Sequence, residues 1–126
     1  MLCGILLGAI AVILGAMGAH ALKRVLTQEE LLSFETGIRY QMYHAFLLLI
    51  IAIVPSLSHK QKRNLLSLIV SGIICFSLSI YLLVIDEAVL GVNFGILGPV
   101  TPIGGLLLIT AWLYFFYVLY KSPNNS

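Results

Sequence analysis

Charged residues punctuate this chain at wide intervals, and the stretches between them are apolar. Leu2–Leu22, Gln41–His59, Asn64–Ile85 and Ala88–Tyr120 contain no Asp, Glu, Lys or Arg, the last for 33 residues. A water-soluble domain cannot leave so much of its surface uncharged. A helix crossing a bilayer core about 30 Å thick needs about 20 mostly apolar residues, and each stretch supplies them. The pattern predicts an all-α fold: an integral membrane four-helix bundle forming one transmembrane domain over 1–126, with spans near 2–21, 39–57, 65–85 and 102–120.

The connections are less uniform. Thr27 and Glu30 stand at the spacing of a capping box, so a helix starts there with acids in its first turn. Leu31, Leu32, Phe34 and Ile38 give its beginning an apolar side, which suits a helix lying in the interface. The expectation is a short interfacial helix between spans 1 and 2 that bends near Gly37. The alternative is one helix about 40 Å long, running on to Pro55 and projecting from the membrane. The third connection, 86–101, combines Gly91, Gly95, Gly98 and Pro99 with Val89, Leu90, Val92, Phe94, Ile96 and Leu97. Irregular backbone at membrane depth survives only where protein covers it or water reaches it. The segment is therefore predicted to dip into the interface and fold over the outer end of the bundle. Thr101 is predicted to cap span 4, with Pro102 at its first helical position.

Composition sharpens this reading. With 60% apolar and 10% charged residues, no soluble domain fits beside four spans. All five acids (Glu29, Glu30, Glu35, Asp86, Glu87) lie in the first and third connections. Lys60, Lys62 and Arg63 occupy the second connection without an acid, and Lys121 follows span 4. Counting Lys and Arg places both termini in the cytoplasm. Ala19-His20-Ala21 matches a small-x-small cleavage pattern, but no basic segment precedes span 1, so the span is expected to be retained. Cys3 and Cys75 fall inside spans and read as small apolar packing residues.

Small residues recur at helical spacing. Span 1 carries Gly4, Gly8, Ala11, Gly15 and Ala19, and span 3 carries Ser67, Ser71, Cys75 and Ser79. Such stripes let helix backbones approach closely in lipid, and Gly104 and Gly105 offer the same in span 4. Trp112 is expected to pack within or beside the bundle, and the later aromatics of span 4 (Tyr117, Tyr120) to form an interfacial belt.

Candidate chemistry concentrates near the outer interface. Glu35 and Arg39 stand at i, i+4, the spacing of a helical ion pair. Tyr40 and His44 share a line on the same helix, and His20 closes span 1 on the same side. Thr101 joins the group because a helix start presents unpaired N–H groups. Ionisable groups at membrane depth are read as functional candidates. One reading has His20, Glu35, Arg39, Tyr40, His44 and Thr101 satisfying one another and a lipid headgroup; others are ligand binding or proton movement through the histidines. His59, among Lys60, Lys62 and Arg63, reads as a solvated loop residue. There is no HExxH, GxSxG or CxxC, and no acid within a span. The chain is therefore expected to be no enzyme and to hold no metal or cofactor. Nothing supports nucleic-acid binding. The expected partners are the lipid bilayer and a second copy or another membrane protein.

Gly15-Ala16-Met17-Gly18-Ala19-His20-Ala21-Leu22, Thr36-Gly37-Ile38-Arg39-Tyr40-Gln41-Met42-Tyr43-His44-Ala45, and Thr101-Pro102-Ile103-Gly104-Gly105 with Trp112 form a series. It closely resembles the YgdD-like family of small multi-pass membrane proteins, over nearly the whole chain. The resemblance implies a four-helix protein of the bacterial inner membrane with no assigned activity and no catalytic residues. Function is therefore expected to be packing or partner binding, the alternative being a small oligomeric transporter or channel subunit built on the His/Arg group.

Overall fold

The computed structural model describes residues 1–122. Its helices are α1 (Leu2–His20), α2 (Gln28–Ile53), α3 (His59–Ile73), α4 (Ser79–Ile85) and α5 (Val100–Tyr120). A π-helical turn, Ile74–Leu78, joins α3 to α4 as one rod. Four segments are long and apolar enough to cross a membrane: Leu2–Arg24, Gln28–Ile53, His59–Ile85 and Gly95–Tyr120. They are spans 1 to 4 below.

The helix starts follow from side-chain capping. Thr27 accepts the Glu30 N–H at 3.3 Å while the Glu30 carboxylate accepts the Thr27 N–H at 2.7 Å. Ser58 and Gln61 repeat the arrangement at 3.2 and 2.8 Å, so α3 begins at His59, well before its uncharged stretch. Helix α2 stops at Ile53 because the residue before Pro55 is driven into extended backbone, as Val54 is.

Two local expectations give way. No separate interfacial helix bends at Gly37: α2 runs unbroken from Gln28 to Ile53, about 39 Å at 1.5 Å per residue. What lies between α1 and α2 is a single 3₁₀ turn, Leu22–Arg24. The apolar side of the first turns of α2 is used inward, with Leu31 and Phe34 buried against Leu22, Leu26, Tyr81 and Val84. Thr101 does not cap span 4 either. The helix starts at Val100, which puts Pro102 third in the first turn, where its missing N–H is still one of the orphan donors.

In the third connection Gly91 takes positive φ (63°), an angle open to glycine at little cost. Phe94 N–H then reaches back to the Asp86 carboxylate at 3.3 Å. Val89, Leu90, Val92 and Ile96 stay exposed, the first two in a π-helical turn, Asp86–Leu90.

Helix α1 lies along α2, and α3 along α5. Toward the end carrying the second connection, the core is Leu47, Leu48, Ile51, Leu65, Ile69, Leu108, Ala111, Phe115 and their neighbours. A smaller cluster around Phe34, Tyr81 and Val84 fills the opposite end. The buried positions of α1 are Gly4, Ala11 and Gly18, seven residues apart, the repeat of a left-handed seam. Gly4 and Gly8 face α2, a Cβ on Gly4 coming within 2.9 Å of the Ala45 carbonyl oxygen. Gly15 and Ala19 lie off the seam: a Cβ on Gly15 meets nothing within 4 Å, and Ala19 is exposed.

The span 3 stripe also turns away from contact. Ser67 and Ser71 are exposed, Cys75 is half-buried and Ser79 is buried. Each step of four advances about 40° around a helix of 3.6 residues per turn, so the stripe winds from the lipid side into the core. Leu65, Ile69, Gly72 and Ile73 carry the packing instead. The closest approach is at Gly104, where an added Cβ would strike the main chain of Cys75 and Phe76 at the π turn. A Cβ added to Gly105 would meet the Phe76 ring at 3.8 Å, an ordinary contact.

Candidate functional site

Side-chain hydrogen bonds link all four spans in a belt between the two apolar clusters. His44 is 3% exposed. Its Nδ1 lies 2.7 Å from the Tyr40 carbonyl oxygen one turn back, and its Nε2 lies 3.2 Å from the indole Nε1 of Trp112 in span 4. A carbonyl only accepts and an indole N–H only donates. Together they assign the proton to Nδ1 and the lone pair to Nε2, a neutral imidazole with both nitrogens engaged. The Trp112 ring meets the imidazole edge-on, at 71° and 6.2 Å, a favoured aromatic arrangement. Tyr40 packs beside it on Phe76, ring centroids 4.8 Å apart.

Gln41, one turn earlier on α2, is equally buried and meets different spans. Its amide donates to the Leu7 carbonyl oxygen of span 1 at 2.8 Å and accepts from the Tyr81 hydroxyl of span 3 at 3.0 Å. Ser77 donates to the Gly37 carbonyl oxygen at 2.8 Å. Gly37 has a steric reason to be glycine, since a Cβ there would sit 2.6 Å from the Tyr81 ring. Ser79 Oγ reaches the Cys75 carbonyl oxygen at 2.6 Å and Thr101 Oγ1 at 2.7 Å. Ser79 has a single hydroxyl proton to give, so with the carbonyl taking it, Thr101 is the donor between spans 3 and 4.

The expected cluster is only partly assembled. Tyr40 and His44 stay together, rings 6.4 Å apart. Thr101 belongs to a different pair, with Ser79. Arg39 donates to Thr36 Oγ1 at 3.2 Å rather than to Glu35; Glu35 and Arg39 line a surface groove with Gly15 and Ile38. His20 is exposed at the end of α1. Gly18 packs on Phe34, ten residues or about 15 Å along α2 from His44. Spans 1 and 2 are antiparallel neighbours, yet these side chains leave the helices at different depths and directions.

Gln41, Ser77, Tyr81 and Trp112 complete the belt and were not among the candidate site residues. The available signal was polarity without charge: an amide and a phenol in the middle of spans must find partners, because lipid offers none. Among the described residues, no three His, Cys, Asp or Glu side chains come together as a metal site.

Residues 14–105 match a family described as "Protein of unknown function (DUF423)". A protein called UPF0382 membrane protein from Staphylococcus aureus is 37% identical over 121 residues, covering 93% of this chain and 94% of the relative. The UPF0382 membrane protein YwdK of Bacillus subtilis is 37% identical over 115 residues, 86% of this chain and 89% of its own length. A UPF0382 membrane protein of Haemophilus influenzae is 33% identical over 117 residues, covering 93% of this chain and 90% of the relative. No solved structure matches significantly.

Proposed function

The chain belongs to the DUF423 family of membrane proteins of unknown function, and from that premise we propose that it is a non-enzymatic membrane module acting through packing and partner binding. The observation that carries this reading is the closure of the polar belt. Both nitrogens of His44 and both ends of the Gln41 amide are committed within the chain. A relay histidine needs a nitrogen open to a mobile proton carrier, and here one faces a carbonyl and the other an indole. The belt spends its polarity on joining spans.

The YgdD-like label, carried by the series Gly15–Leu22, Thr36–Ala45 and Thr101–Gly105 with Trp112, is part of the same reading. So is residence in the bacterial plasma membrane with both termini cytoplasmic, which the Lys and Arg of the second connection support. The broad apolar flanks, including Ile5, Leu6, Val12, Ile13, Leu106 and Phe116, are surfaces for lipid, a second copy or another membrane protein.

Proton flux in proteoliposomes tests this function. His44→Ala and Arg39→Ala are expected to leave proton leak at the wild-type level. A wild-type flux abolished by either substitution would overturn the reading in favour of an oligomeric transporter or channel subunit.

A further inference from the structure

A cavity of ≈ 400 Å³ opens between spans 1, 2 and 3 at the end opposite the acidic connections. Leu48, Ile51 and Leu66 form part of its wall, and His59, Lys62 and Arg63 stand at its edge. The Lys62 ammonium is fixed by a hydrogen bond of 2.8 Å to the Ala52 carbonyl oxygen, near the end of α2, where carbonyls lack helical partners. That leaves two of its three N–H groups to point elsewhere. Arg63 is exposed. No acid lies between Ser56 and Asn64; all five stand in the other two connections.

We propose that this cavity is a binding site for a phospholipid with an anionic headgroup. Lys62 and Arg63 hold the phosphate, and one acyl chain lies against Leu48, Ile51 and Leu66. Charge complementarity selects the headgroup: Lys62 and Arg63, with no acid in their connection, attract a phosphodiester that carries net charge and gain little from a zwitterion. The wall selects a lipid over a soluble phosphate, since buried Leu48 and Ile51 lead from the basic edge toward the depth of the acyl chains. The arrangement matches the general form of basic pockets between transmembrane helices that take acidic lipids. It is separate from the polar belt and holds whether or not the belt is structural.

Native mass spectrometry of the full chain, released from mild detergent with equal phosphatidylglycerol and phosphatidylcholine, tests the assignment. Phosphatidylglycerol adducts should survive activation that strips phosphatidylcholine. Arg63→Gln, at an exposed position, should weaken retention about fivefold, the effect of one charge near a lipid surface. Arg63→Lys should restore most of it, and Leu66→Trp, which fills the groove, should weaken retention of phosphatidylglycerol with the thermal transition unchanged. Equal retention of the two lipids would overturn the proposal, as would wild-type retention by both Arg63→Gln and Leu66→Trp. Competition by glycerol phosphate as strong as by the lipid would also sink it, by removing the acyl wall from recognition.

Discussion

Toward the basic end, spans 2, 3 and 4 meet through Leu48, Ile51, Leu65, Ile69, Leu108 and Phe115, all buried and apolar. A few turns away the same helices meet through Gln41, His44, Ser77 and Ser79, each bonded to another residue. The two regions do different work. Lipid is as apolar as leucine, so the aliphatic core gains only the contacts that close packing adds over lipid. Such contacts tolerate a small slide. Hydrogen bonds do not: shifting one helix by a residue moves a donor about 1.5 Å along the axis and about 100° around it. The apolar end sets how closely the spans approach, and the belt sets their register.

Substitutions in the two regions should carry graded costs. The largest effect is expected from Gly104→Val, because the obstacle is the main chain of Cys75 and Phe76 and cannot rotate aside. It should destabilise the bundle by about 3 kcal/mol or more, read as the shift in a denaturant titration from mixed micelles. Leu65→Ala, at a position 0% exposed, should cost about 2 kcal/mol through the cavity it leaves, without altering which spans cross-link.

A polar deletion should be cheaper and qualitatively different. Gln41→Leu should cost about 1 kcal/mol, a typical to high value for one such group in a bundle, and Tyr81→Phe somewhat less. The double variant should fall short of the sum, since both remove one shared bond. Additive losses would show that the Gln41–Tyr81 bond is absent in the bilayer. Cysteine cross-links between spans 1 and 2 should spread over neighbouring registers in Gln41→Leu and remain sharp in Leu65→Ala. The smallest effect belongs to Gly15→Ala. Its Cβ meets nothing within 4 Å, so stability should be unchanged or rise by up to about 1 kcal/mol from helix propensity. A loss like that expected for Gly4→Ala would mean that span 1 packs through a different face.

How much of this was legible beforehand divides along the same line. The spans could be counted from charge spacing, because the bilayer imposes a length on any stretch that crosses it. The box at Thr27 and Glu30 was legible because capping is local. The stripe Ser67–Ser79 misled because equal steps of four do not stay on one face, and the π turn at Ile74–Leu78 resets the helix partway along. The polar group was legible by residue type and motif, which brought out Tyr40 and His44, but not by partner. Which residue meets His44 depends on the depth at which span 4 passes span 2. That depth depends on the contact of Gly104 with the main chain of Cys75 and Phe76, residues about 60 and 30 positions from His44 in the chain. Trp112 could be named as a packing residue while its role as donor to His44 stayed hidden. His20, Glu35 and Arg39 were grouped with His44 because they lie near one another in sequence and side of the membrane, and about 18 Å of depth separates His20 from it.

The polar groups inside the bundle are joined to one another, and His44 is held as a neutral Nδ1–H ring between Tyr40 and Trp112. Nitrogen-15 magnetic resonance of the full chain labelled at histidine and tryptophan, in bilayers at neutral pH, measures this directly. The expected result is one unprotonated Nε2 resonance for His44, showing a coupling across the hydrogen bond to Trp112 Nε1 that vanishes in Trp112→Phe. A His44 ring protonated on Nε2, or exchanging its protons with water on the timescale of the measurement, would contradict it.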